Sequence, residues 1–133
     1  MDVEAAARAW AAGWEQAWRE RDADAVAALY ADDAVFRSHP FRPPHLGRAG
    51  AREYAAWAFA EEDAVDDVRF GEPIARGDRA AVEYWAVVVE NAEPVTIAGI
   101  AVLRFDEAGL VQEQHDYWAL ENGTRSPWEG WGS

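Results

Sequence analysis

The chain contains no cysteine, and this absence excludes disulfide bridges, thiolate nucleophiles and cysteine metal sites. Lysine is also missing, so all twelve basic residues are arginine. Positive charge is scarce, because 25 acidic residues give a formal net charge of −13 at pH 7. Such a charge repels phosphate backbones and anionic lipid headgroups, which disfavours nucleic-acid binding and membrane-surface roles.

Long hydrophobic runs are missing as well. The first four residues have neither the positive charge nor the apolar stretch that a secretion signal needs, and the longest apolar run is too short to span a bilayer. We therefore expect a cytoplasmic protein. The abundance of alanine and arginine is typical of a bacterial gene of high GC content.

The 133 residues suffice for one domain, 1–133, with a single hydrophobic core. No internal repeat, low-complexity segment or linker divides the chain. Eight tryptophans are many for this length. Some of them must line a cavity or an interface, because so much aromatic surface cannot all lie in a small core.

Helical spacing predicts three helices. In the first, apolar residues recur every three or four positions and form an aromatic stripe that faces the core: Val3, Ala7, Trp10, Trp14, Ala17 and Trp18. Asp22 is a suitable N-cap for a second helix, which we expect to end at Asp32-Asp33 with Tyr30 facing inward. The third helix is predicted over 49–62.

Five strands are predicted, over 34–38, 65–74, 80–90, 95–105 and 110–120. The last four are joined by short turns, which indicates antiparallel hairpins. Three prolines exclude helix and central strand from 39–47 and predict a semi-rigid loop there. This order of elements predicts an α+β fold, in which three helices pack on the concave face of a curved antiparallel sheet and enclose a pocket.

Two segments carry a family resemblance: Leu-Tyr-Ala-Asp-Asp-Ala-Val-Phe, ending at Phe36, and Asp116-Tyr-Trp. They resemble the NTF2-like superfamily, in its SnoaL-like branch, over nearly the whole chain. The resemblance implies a cone-shaped pocket. It also implies a homodimer through the outer face of the sheet, where we expect the apolar run 86–89 to contribute. The superfamily contains epoxide hydrolases, polyketide cyclases, isomerases, dehydratases and plain binding modules, so the chemistry depends on the pocket residues.

Asp116 is the leading catalytic candidate. Strand alternation places it on one face with Gln114 and Trp118, and Tyr117 on the other. The resemblance implies that Asp116 faces the pocket, as does the carboxylate in similar Arg-Asp-Tyr-Phe strands of limonene-epoxide-hydrolase-like members. Burial among aromatic rings would raise its pKa and suit it to proton transfer. Alternatively, Asp116 is ionised and held by an arginine or by backbone donors, or a bulge turns both Asp116 and Tyr117 inward.

Three further catalytic candidates have ordinary structural alternatives. Glu83 is a second pocket acid if its strand face, shared with Trp85, is concave, and otherwise lies on a solvated face. In the epoxide-hydrolase pattern, an arginine and an aspartate at these two positions help the last-strand aspartate to activate water. Glu83 and Trp85 replace them here, so epoxide hydrolysis by that mechanism is not expected. His39 reaches the pocket rim as an acid or base, or is a surface loop histidine. Tyr30 donates to a substrate carbonyl, or is a core tyrosine.

The pocket wall is predicted to be aromatic, and its substrate-binding candidates are Trp14, Trp18, Phe36, Phe41, Trp57, Trp85 and Trp118. The three histidines share no strand or helix face, so we expect no metal, and no nucleotide-binding motif suggests a cofactor. The segment 126–133 carries two tryptophans, and we expect it to dock at the pocket mouth or on a partner subunit.

These features favour a protein that binds an apolar or aromatic small molecule and catalyses its cyclisation or isomerisation by acid/base chemistry. Two alternatives remain open. The first is a non-catalytic binding or dimerisation module of the same fold, and the second is a hydrolase or dehydratase that uses Asp116 with His39. Whether the chain is an enzyme therefore depends on which acids and histidines meet in the cavity.

Overall fold

The computed structural model describes all of residues 1–133. The helices are α1 Val3–Glu20, α2 Ala23–Ala27 and α3 Gly47–Glu61. The strands are β1 Tyr30–Arg37, β2 His45–Leu46, β3 Ala64–Phe70, β4 Ile74–Arg76, β5 Arg79–Glu90, β6 Glu93–Phe105 and β7 Val111–Asn122. No helix is long and apolar enough to cross a membrane.

The strands form one curved sheet in the order β2-β1-β7-β6-β5-β3, with β4 paired to β5. The helices pack against its concave face, so the predicted α+β class is confirmed. One pairing differs from the expected antiparallel sheet, because β1 runs parallel to β7. Short turns force antiparallel pairing only between consecutive strands. Most of the chain separates β1 from β7, so no short turn determines the direction in which they pair.

Helix α1 has the predicted inward stripe. The carboxylate of Asp2 accepts the backbone N–H of Ala5 at 3.1 Å and caps the helix. The buried residues of α1 are Ala7, Trp10, Ala11, Trp14 and Ala17. The indoles of Trp10 and Trp14 therefore extend from α1 towards the concave face of the sheet.

The second helix is much shorter than predicted. Asp22 is its N-cap, as expected, but α2 ends at Ala27 and Tyr30 already belongs to β1. Backbone pairing with β7 explains the difference. Tyr30 pairs with Val111, and the carbonyl of Leu29 accepts the backbone N–H of Val111. Pairing with a distant strand thus overrides the helical periodicity of 26–30.

The last strand has an irregularity near its start. Its pairing with β6 shifts register between Glu113 and Val111, so Val111 and Gln114 are both buried although they lie three residues apart. Beyond this shift the register is regular. Asp116 therefore faces the concave side while Tyr117 lies on the outer face with 49% of its surface exposed, and no bulge turns both inward.

The carboxyl-terminal tail docks on the outer face of its own sheet, and the prediction that it covers the pocket mouth is wrong. The indole N–H of Trp85 donates to the carbonyl of Arg125 at 2.9 Å, and its ring meets those of Trp128 and Trp131 edge-on. The backbone of Gly132 also approaches Gly71 closely. These contacts bury Trp85 on the convex side of the sheet.

Candidate functional site

A cavity of about 350 Å³ lies between the helices and the concave face of the sheet. Seventeen residues line it, of which eleven are hydrophobic. The aromatic, charged and amide side chains among them include Trp10, Trp14, Trp18, Arg42, Tyr54, Trp57, Glu61, Glu62, Tyr84, Glu90, Gln114, Asp116 and Trp118. The wall is thus aromatic and carries a few charged groups.

Asp116 lies on β7 and is held by neutral donors alone. Its Oδ1 accepts the side-chain amide of Gln114 at 2.9 Å, and its Oδ2 accepts the hydroxyl of Tyr84 at 3.3 Å. The ion pairs of the chain all lie elsewhere. Burial raises the pKa of Asp116 to about 7, although the hydrogen bonds from Gln114 and Tyr84 oppose the shift.

A buried chain of hydrogen bonds orients Gln114. The indole N–H of Trp14 donates to the hydroxyl of Tyr30 at 3.0 Å, and this hydroxyl donates to Oε1 of Gln114. The amide nitrogen of Gln114 is then directed at Asp116. Tyr30 is fully buried behind the wall and does not line the cavity, so its position fits support of Asp116 rather than contact with a substrate.

Glu62 is a second buried acid that the sequence analysis missed. It follows the last turn of α3, is 7% exposed and accepts the indole N–H of Trp18 at 2.8 Å. Burial raises its pKa to about 7, against the opposing hydrogen bond from Trp18. The helical spacing carries a signal, because Glu62 lies four residues after Ala58 and eight after Tyr54 and so shares a helix face with them.

Tyr84 reaches Asp116 only because its neighbour on β6 is a glycine. Tyr84, Gly99 and Trp118 lie side by side on three adjacent strands. A Cβ added to Gly99 would lie 2.8 Å from the Tyr84 hydroxyl and 2.8 Å from Cβ of Trp118. The absence of a side chain at Gly99 therefore makes room for the Tyr84 ring beside Asp116.

Four of the seven predicted wall residues line the cavity, namely Trp14, Trp18, Trp57 and Trp118. The prediction is wrong for the other three. Phe36 is 1% exposed and stacks on Tyr30 in the core, and Phe41 is 89% exposed on the proline loop. Trp85 lies under the tail, because the inward face of β5 carries Tyr84 instead.

Glu83 and His39 do not line the cavity either. Glu83 shares the convex face of β5 with Trp85, so it is not a second pocket acid. The ring of His39 packs edge-on against Trp118 at 5.4 Å, and its Nδ1 accepts the backbone N–H of Phe41 at 3.1 Å. His39 thus contacts the wall residue Trp118 without lining the cavity itself. Histidine, aspartate and glutamate side chains form no group of three that could hold a metal ion.

The sequence matches a family model in agreement with this geometry. The SnoaL-like domain model matches residues 7–114, most of the chain. The chain belongs to the SnoaL-like family. No curated protein sequence matches it.

Two solved structures show the same fold for this SnoaL-like protein. The first is a hypothetical protein with a ketosteroid isomerase-like fold from Catenulispora acidiphila DSM 44928, in complex with trimethylamine. It has 18% identity and a TM-score of 0.72, over 83% of this chain and 85% of that one. The second is SalBIII, an epoxide hydrolase/cyclase-like enzyme in pyran ring formation in polyether salinomycin. It has 21% identity and a TM-score of 0.78, over 92% and 99% of the two chains.

Replacement of Gly99 tests the close packing beside Asp116. We expect Gly99→Ala to lower the free energy of unfolding by about 1–3 kcal/mol, because the new methyl group overlaps Trp118 Cβ, which the strand backbone fixes. Gly13→Ala is the matched control. Its methyl group meets only the flexible end of Leu29, and alanine is favoured in a helix by about 1 kcal/mol. Urea denaturation of both variants checks this, and equal effects would contradict the packing argument.

Proposed function

We propose that this SnoaL-like protein binds a largely apolar or aromatic small molecule in the cavity and catalyses an acid/base cyclisation or isomerisation of it. Asp116 is the proton-transferring group. Once Asp116 is protonated, its O–H donates to the hydroxyl of Tyr84, which leaves the phenol proton of Tyr84 free for a substrate oxygen. The fold is similar to that of an epoxide hydrolase/cyclase-like enzyme and to that of a protein solved in complex with trimethylamine. Both similarities support small-molecule chemistry in a cavity of this kind.

The single observation that carries the proposal is the carboxylate of Asp116 among neutral donors. A structural carboxylate that is largely shielded from solvent is normally paired with a cation, whereas Asp116, half-buried in the cavity wall, has only Gln114 and Tyr84. With a pKa of about 7 it is protonated in part at neutral pH. A group of this kind accepts and returns a proton with little cost in either direction, which is what isomerisation requires.

The rival functions have less support from the geometry. A hydrolase or dehydratase that pairs Asp116 with His39 needs both groups at one substrate, yet His39 does not line the cavity. A plain binding module needs no ionisable group in its wall. Its support is the apolar majority of the lining residues, and turnover by the wild-type protein but not by an Asp116 variant would exclude it.

Replacement of Asp116 by Asn separates an acid/base role from a structural one. The folded-state pKa of about 7 lies above the usual value near 4, so the charged form opposes folding and stability is lost as the pH rises from 4 to 7. Asp116→Asn removes this penalty. We expect the variant to be at least as stable as the wild type at pH 8, with its advantage smaller at pH 5 by roughly 2–3 kcal/mol, and to lose turnover.

Asp66→Asn is the matched control for this experiment, since Asp66 is exposed on β3 and lies outside the cavity. Its stability should follow that of the wild type at both pH values. Thermal denaturation at pH 5 and pH 8 gives the comparison. A clear loss of stability in Asp116→Asn at pH 8 would identify Asp116 as the ionised partner of a cation and would contradict the assignment.

We also propose a homodimer through the outer face of the sheet, with a changed contact surface. The run 86–89, which suggested the dimer, is unsuitable, because Ala86, Val87 and Val88 are buried within the subunit. Beside the area covered by the tail, Tyr117 and Ala119 of β7 are exposed and Ile100 of β6 is half-buried next to Tyr117. This apolar patch on the convex face is the contact surface that we propose for a second subunit.

Substitution of Tyr117 tests the dimer. We expect the wild-type protein to sediment at micromolar concentration as a species of twice 14.8 kDa, and Tyr117→Asp to sediment as the monomer, because a charge would be buried in the interface. Analytical ultracentrifugation measures both masses. A wild-type protein found only at 14.8 kDa would refute the dimer.

A further inference from the structure

The charged side chains of the cavity are predominantly acidic. Four carboxylates line it, those of Glu61, Glu62, Glu90 and Asp116, against one basic residue, Arg42. The guanidinium carbon of Arg42 lies 5.8 Å from the ring centre of Trp118, so this cation already has an aromatic partner. A neutral apolar ligand makes no use of this excess of negative charge.

Glu62 is the carboxylate that most requires an explanation. It is more than nine-tenths buried, and a buried charge is normally paired with an opposite charge. Its only hydrogen-bond donor in the protein is the indole of Trp18, on Oε1, and no arginine forms an ion pair with it. Its second oxygen, Oε2, has no donor, and the side chain lines the cavity.

Aromatic walls and an unpaired carboxylate together are the features that recognise an organic cation. The faces of indole and phenol rings attract ammonium groups, and do so more strongly when water is excluded. Indoles of α1, α3 and β7 line this cavity, with Trp18 in direct contact with Glu62. An anionic ligand would instead meet four carboxylates and a single, exposed arginine.

We propose that the ligand is an organic amine cation, whose charged nitrogen lies against Glu62 and Trp18 while its apolar body extends along the aromatic wall towards Asp116. This inference rests on the proposed binding of a small molecule and adds the charge of that molecule. Glu62 then sets ligand specificity, whereas Asp116 carries the proton transfer. The two acids thus have separate roles in one cavity.

The charges around Glu62 predict how binding depends on pH. Glu61 of α3 and Glu90 of β5 line the same cavity, and Arg21 at the end of α1 lies near enough to act on Glu62. Burial, followed by the charge of Glu90, raises the pKa of Glu62 to about 7, while Trp18 and Arg21 oppose the shift. Because a cation favours the ionised carboxylate, a permanently charged ligand should bind more tightly at pH 8 than at pH 6.

Three probes of similar shape test the charge preference directly. Benzyltrimethylammonium is a permanent cation, neopentylbenzene is its neutral isostere, and phenylacetate is an anion with the same ring. Quenching of tryptophan fluorescence by each probe gives the dissociation constants with the wild-type protein. We expect benzyltrimethylammonium to bind at least about tenfold more tightly than either of the others at pH 8.

Two variants then locate the cation. Glu62→Gln keeps an acceptor for Trp18 but removes the charge, and should abolish the preference for benzyltrimethylammonium without weakening neopentylbenzene. Glu107→Gln changes the net charge equally in an exposed turn outside the cavity and should leave all three constants within about twofold. The comparison of probes uses the wild-type protein, so it stands even if Glu62→Gln folds poorly.

Each remaining outcome overturns the inference in a distinguishable way. Equal binding of cation and isostere would overturn it but leave the proposed small-molecule function intact. Tighter binding of phenylacetate would also overturn the inference while leaving the proposed function intact, and it would identify Arg42 as the ligand's partner. Cation binding unaffected by Glu62→Gln would show attraction to the acidic surface alone. If no probe binds, both the inference and the proposed function fail.

Discussion

The desolvation of one carboxylate is the constraint on which the site depends. Asp116 lies in a cavity whose walls are mostly aromatic, and its hydrogen bonds come from Gln114 and Tyr84, which carry no charge. Without a cation, the protein stabilises the protonated form near neutral pH. The same carboxylate would be an inert anion if an arginine were placed beside it.

Several elements of the fold serve this arrangement. The tertiary pairing of β1 with β7 places Tyr30 behind Gln114, and Trp14 of α1 completes the hydrogen-bonded chain. Gly99 leaves the space that the Tyr84 ring occupies. At the end of α3, Glu62 is likewise a carboxylate without a cation, and its hydrogen-bond donor is the neutral indole of Trp18. Two unpaired acids in one cavity are unfavourable for folding, which favours a functional reason for both.

The sequence predicted the fold class because its strongest signals are local. The tryptophan stripe of α1 and the hairpin turns between β5, β6 and β7 depend on neighbouring residues, and both were located correctly. The start of β1 and the register shift near Val111 depend on pairing between strands far apart in the chain. No local pattern specifies such pairings, so Tyr30 was assigned to a helix.

The site was predicted less completely, for a related reason. The face of β7 was assigned from a resemblance, and Asp116 does line the cavity. On β5 the alternation is evident but its direction is not, so the sequence leaves Glu83 either inward or on a solvated face and places Trp85 in the wall, where the structure has Tyr84. The carboxyl-terminal tail covers Trp85 on the convex face of the sheet. Such a contact joins residues far apart in the chain and cannot be predicted from the local sequence. Glu62 shares a helix face with Tyr54 and Ala58, but only the folded structure shows that this face brings the carboxylate against Trp18.

Direct titration of the Asp116 carboxyl in the wild-type protein tests the central claim. Carbon-13 NMR of the assigned side-chain carboxyl, followed from pH 5 to pH 9, measures its pKa without substrate, partner or substitution. We expect a midpoint near the pKa of about 7 that burial imposes. A carboxyl that stays fully ionised down to pH 5 would show that solvent or a cation reaches Asp116, and would contradict its role as the proton-transferring group.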